Sequence, residues 1–185
     1  MTSETSYESK TLTPEQDAMV AEFARRTWSE FLQEFDGYSD ERQRREALSR
    51  AAKAAYFLGD TPRACTLAEE SLKVAESLKG TWSYGNAIHD ANLVLGLAAL
   101  DEKDVERAES YLLAAGLTPG SPNLNSFGPN TTLAKRILEL GRVESVLRYL
   151  EACSVFWECG KLYLENWPVL IRAGKSPNLM VNMYY

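Results

Sequence analysis

His89 is the only histidine in the chain and stands directly before Asp90, a pairing that a metal-dependent helical phosphohydrolase could use. Such a centre needs further imidazoles to hold its ion, and the sequence has none. Zinc protease helices require two histidines four residues apart. Di-iron bundles need Glu-x-x-His pairs, whereas Asn86 occupies the position three before His89. Neither a metal nor a cofactor is therefore expected. A thiol nucleophile would have to be Cys65, Cys153 or Cys159. Each stands among apolar helical positions with no local signature of a Cys-His site, so all three read as inert core thiols. Gly116, Gly120 and Gly128 fit neither a P-loop nor a dinucleotide fingerprint. No reaction centre emerges, and the chain is expected not to be an enzyme.

What remains is recognition chemistry. Trp82, Tyr84, Asn86 and His89 lie at the entrance to one helix, where aromatic bodies and amide donors can form a mixed binding surface. Core packing accounts for Trp82 or Tyr84 equally well. The run from Thr118 to Asn130 is either an ordered plug or a binding loop that presents Asn125 and Phe127. Arg42, Arg44, Arg45, Arg50 and Lys53 alternate with Glu41 and Glu46. Mixed signs on one amphipathic helix read as a solvated face, with a basic surface for an acidic partner as the alternative.

Bulk properties bound these readings. A chain of 185 residues with 45% hydrophobic and 25% charged residues has material for one ordinary core. Its net charge of −6 argues against attraction to nucleic acid or anionic lipid, which needs clustered cations. The polar start is not a secretory signal, and no uncharged run approaches the ~18 residues of a membrane span. Three cysteines do not make a disulfide framework, so a reducing, cytoplasmic setting is expected.

The elements that must position these groups are helices. Residues 1–12 read as a flexible tail, and 13–185 as a single all-α domain of about eight helices. Thr13-Pro14 opens the first, whose stripe holds Met19, Val20, Phe23, Trp28, Phe31 and Phe35. The next three cover about 40–58, 62–79 and 82–100. The last of these is apolar around most of its circumference, as a central helix would be. A fifth spans about 104–115. Prolines and glycines between Gly116 and Pro129 argue against regular structure there. A sixth helix ends at Leu140, a seventh covers about 143–158 with Val155, Phe156 and Trp157 inward, and an eighth runs from Lys161 to Arg172.

Three turns share a pattern: Leu58-Gly59-Asp60-Thr61-Pro62-Arg63-Ala64, Glu102-Lys103-Asp104-Val105-Glu106-Arg107-Ala108 and Leu140-Gly141-Arg142-Val143-Glu144-Ser145-Val146. Each ends one helix and begins another at a small inward residue. The pattern resembles the middle of a tetratricopeptide repeat, and Leu95-Gly96 falls on that family's Leu-Gly pair. Departures are visible. Equivalent positions are 44 residues apart from Ala64 to Ala108 and 38 from there to Val146, against ~34 in the family, and Lys103 stands where glycine is usual.

The resemblance implies stacked antiparallel hairpins in a TPR-like right-handed superhelix, whose first helices line a concave groove. That groove would expose Ser49, Lys53, Tyr56, Asp90, Leu93, Leu97, Thr131, Lys135 and Leu138. The implied function is a noncatalytic module binding a protein or peptide, with Lys53 and Lys135 meeting an acidic or carboxylate-bearing ligand or simply solvated. His89 would then donate to a partner carboxylate as pH drops through ~6.5. A homodimer is compatible with this scheme. The alternative is a small-molecule-responsive regulatory domain with the groove closed into a pocket.

Overall fold

A computed structural model describes residues 13–179. The reading of a flexible tail at 1–12 lies outside the described residues. Among those described, the chain is all-helical, with nine α-helices and no strand. They are α1 (Pro14–Asp36), α2 (Glu41–Phe57), α3 (Thr61–Val74), α4 (Ser83–Asp101), α5 (Val105–Gly116), α6 (Pro122–Phe127), α7 (Thr132–Glu139), α8 (Val143–Cys153) and α9 (Lys161–Arg172).

The three related turns have one geometry. Gly59, Lys103 and Gly141 each take a positive φ, at 91°, 64° and 77°. In each, the following amide bonds back to a carbonyl five residues earlier: Asp60 to Ala55, Asp104 to Ala99, Arg142 to Ile137. This is the Schellman closure, which satisfies carbonyls left over at a helix end. Asp60 and Asp104 then accept from the amides of Arg63 and Arg107, capping the next helix. The third turn has Arg142 at that position and no side-chain cap. Ala64, Ala108 and Val146 are fully buried, as close helix approach requires.

α4 divides two cores. Its Ala91, Val94 and Leu95 pack with α1, α2 and α3 against Phe35, Leu48 and Leu67. Leu93, Leu97 and Leu100 pack on the other side with α5, α7, α8 and Trp157. A helix serving two cores must be apolar all round, so the expected central helix is found. A polar strap runs beside it: the Tyr56 hydroxyl donates to Asp101 at 2.8 Å, and Arg136 reaches Tyr56 at 3.1 Å and Asp101 at 2.8 Å. These side chains come from α2, α4 and α7.

Several expectations need correction. The 116–129 segment holds α6, started by Pro122 and capped by Ser121, whose hydroxyl accepts from the Leu124 amide. The helix expected to reach 158 stops at Cys153, and Val155 is exposed, because the chain turns out so that Phe156 and Trp157 can drop into the core. Met19 and Phe23 are exposed, since α1 packs chiefly on α2 through Trp28, Phe31, Leu32 and Phe35. The last helix, by contrast, runs from Lys161 to Arg172 as expected, with Pro168 inside it. Of the thiols, Cys153 is buried, Cys65 half-buried and Cys159 exposed, so the core reading holds for Cys153 alone. No described helix is long and apolar enough to cross a membrane.

Candidate functional site

α1 packs on α2 chiefly through its second half, and a cleft of about 810 Å³ opens along it from Val20 to Phe31. Helical periodicity selects its walls. α1 contributes Val20, Phe23, Ala24, Thr27 and Phe31 from one face, and α2 faces them with Gln43, Ala47, Arg50 and Lys53. The start of α4 adds Ser83, Asn86 and Asp90, and α6 closes the fourth side with Asn123, Leu124 and Phe127.

α6 is fastened there by its own segment. Thr118 donates its hydroxyl to the Gly85 carbonyl at 2.8 Å, and Ser121 donates to the Asn86 side-chain oxygen at 2.6 Å. Gly85 permits this closeness: a Cβ there would sit 1.7 Å from the Gly120 carbonyl oxygen, so only glycine lets the two backbones meet. Phe156 and Trp157 pack beneath at Gly120 and Gly128. The segment is thus both plug and wall.

An ion pair lies at the floor. Lys53 Nζ is 2.8 Å from Asp90 Oδ2, and His89 Nδ1 is 3.0 Å from Asp90 Oδ1. All three residues are buried. Burial alone would push the Asp90 carboxyl up. The Lys53 charge and the His89 hydrogen bond outweigh it and hold the group below its ordinary value. His89 Nε2 has no hydrogen-bond partner, and Tyr149, also fully buried, lies within electrostatic reach of Asp90.

Above the floor the charges are unevenly matched. Glu46 is bonded by Arg42 at 3.0 Å. Arg50 stacks its guanidinium over the Phe31 ring at 4.2 Å and makes no ion pair among the described residues.

The structure brings together only some of the residues picked from sequence. Lys53, Asn86 and Phe127 line the cleft. His89 is 0% exposed behind it, so it cannot touch a partner, and the expected pH-dependent contact is overturned by burial. Trp82 is exposed on the turn before α4, and Tyr84 turns toward Glu76, with its hydroxyl 2.8 Å from that carboxylate. Neither faces the cleft. Tyr56 belongs to the strap, and Asn125 and Lys135 are half-buried outside the cleft lining. Leu93, Leu97 and Thr131, expected along an open groove, are buried because α7, α8 and Trp157 close over that side.

Sequence reasoning missed Phe23, Phe31, Gln43 and Asn123 as cleft residues, and placed Arg50 on a mixed-charge face read as solvated, with a surface for an acidic partner as the alternative. One signal was available: the apolar stripe of α1 is as broad in its first half as in its second, though nothing in the chain order covers the first half. For chemistry beyond binding, the arrangement offers little. Burial pushes the Cys153 thiol up to about 12 and also raises that of Cys65, so neither is an activated nucleophile. Among the described residues no three His, Cys, Asp or Glu side chains converge as a metal site. No protein-family model, no curated protein and no solved structure matches the chain.

Proposed function

We propose that this chain is a noncatalytic binding module that holds a segment of a protein partner in the cleft between α1, α2, α4 and α6. One observation carries the reading: Phe23 of α1 and Phe127 of α6, 61% and 56% exposed, both line the cleft. Exposed rings around a preformed concavity are costly in water and mark a surface that a partner covers. The cleft takes the place of the long concave groove implied by the tetratricopeptide resemblance. The shared turn geometry supports that resemblance at the level of the hairpin, and the superhelical arrangement remains part of the proposal.

A library of random twelve-residue peptides displayed on phage tests it. Wild type is expected to enrich specific sequences, and Phe23→Asp and Phe127→Asp to lose them while keeping the wild-type melting temperature. Equal enrichment by all three proteins, or none by any, overturns the reading. A second reading draws on the enclosure by four helices: about 810 Å³ also falls within the range of small-molecule pockets. It makes the chain a ligand-responsive regulatory domain, and it gains if apolar small molecules stabilise the fold while peptides do not.

A further inference from the structure

We infer that the occupant of the cleft is an apolar peptide segment bearing a single acidic side chain, with Arg50 as its counter-ion. This rests on the reading of the cleft as a peptide site. Charge accounting selects the anion. The two carboxylates lining the cleft are already matched, Glu46 by Arg42 and Asp90 by Lys53. Lys53 is thereby neutralised at the floor. Arg50 is the lining cation that no described carboxylate meets. Its guanidinium carbon sits over the Phe31 ring, 4.2 Å from the centroid, and its planar fork of N–H donors is of the kind that grips one carboxylate in two parallel hydrogen bonds.

A single positive charge balances one carboxylate. A phosphate dianion would carry surplus negative charge in a cleft that also contains Glu46 and Asp90, in a chain of net charge −6. Polyanions and anionic membranes are disfavoured by the same net charge. The neutral lining selects a peptide over a fatty acid. Gln43 and Asn123 present side-chain amides with no described protein partner, and Asn86 uses its oxygen on Ser121 but keeps its amide hydrogens. An alkyl chain would bury these groups unmatched, whereas peptide groups satisfy them.

The test uses the same displayed library on full-length wild type, Arg50→Gln and Arg50→Lys, followed by calorimetric titration of a selected synthetic peptide and its Glu→Gln or Asp→Asn counterpart. Expected for wild type are sequences with several apolar positions and one recurring acid, and a roughly tenfold weaker affinity for the neutral counterpart, the size of one charge-assisted contact. Arg50→Gln should bind both peptides alike and select without an acid, and Arg50→Lys should restore part of the preference. Apolar peptides selected without an acid, or an acid preference that survives in Arg50→Gln, overturn this inference and leave the peptide site standing. No cleft-dependent peptide at all overturns both. Stabilisation by decanoate with no peptide selected replaces the occupant by a small amphiphile and overturns it as well.

Discussion

Among the described residues, Lys53 and Asp90, with His89 bonded to the carboxylate, form the buried ion pair that reaches the cleft, and its energetics follow from isolation from water. Removing the cation strands Asp90 in the interior, so Lys53→Met is expected to cost about 3–5 kcal/mol, read from urea unfolding at neutral pH. The carboxyl of Asp90 is lower in the folded chain than in the unfolded one, near ~3.9. Its contribution is therefore complete above the unfolded value and is lost as pH falls through the folded value. Asp90→Asn should start from lower stability and lose less of it between pH 5 and 2; an unchanged acid limb would show that Asp90 titrates normally. The thiols divide by exposure. An aromatic disulfide reagent at pH 8 should label Cys159 in the native protein, spare Cys153 until denaturant is added, and lose its fast phase in Cys159→Ser. Fast labelling of Cys153 would contradict its burial. Asn86 is visible in the sequence as a polar group at a helix entrance, and Phe127 as an aromatic in the run between Thr118 and Asn130. The pairing of Lys53 with Asp90 was not, because the contact depends on how α2 crosses α4 and not on anything local to either residue.

At the scale of elements, the parts read correctly were those governed by short-range chemistry. Gly59-Asp60 and Gly141 mark helix junctions through torsion and capping alone, and Pro14 and Pro62 mark helix starts because a first-turn residue needs no amide hydrogen. The misread parts depend on distant neighbours as well, although Ser121-Pro122 is a local start signal that the glycines and prolines around it masked. α6 forms where the plug is anchored to Gly85 and Asn86, and α8 ends early because Phe156 and Trp157 fill space beside Gly120 and Gly128. No local signal encodes those cavities. Lys103 is the informative exception within the repeated turn, since it occupies at φ 64° the left-handed position where the other two turns have glycine. A side chain there costs about 1 kcal/mol against glycine, partly offset by the greater freedom glycine has in the unfolded chain. Lys103→Gly is accordingly expected to stabilise the protein by up to ~1 kcal/mol, raising the melting temperature by about 2–4 °C in calorimetry. A lowered melting temperature would mean that Lys103 makes a compensating contact.

At the scale of the molecule, α4 belongs to both cores, so neither can open without exposing the other's wall. The strap of Tyr56, Asp101 and Arg136 adds a second link, joining α2, α4 and α7 across the same divide. Burial and the Asp101 carboxylate push the Tyr56 phenol up to about 12, against the opposing pull of Arg136. Tyr149 is likewise raised well above its ordinary value by complete burial. The consequence is an alkaline limit on the whole fold. Unfolded chains release phenolic protons near ~10, while folded Tyr56 holds its proton to about 12. The stabilisation is thus complete below pH ~10 and declines as pH rises toward 12, because over that interval only the unfolded state gains by deprotonation. Tyr56→Phe removes the strap's hydrogen bonds and should cost about 1 kcal/mol at pH 8. It also removes the titrating group, so its stability should fall less steeply than wild type between pH 10 and 12, the remaining slope coming from Tyr149 and the other raised phenols. Urea melts of both proteins at pH 8, 10, 11 and 12 separate the two effects. Parallel declines would mean that Tyr56 ionises in the folded state as it does in the unfolded one, and the strap would then be an exposed contact that does not couple the two cores.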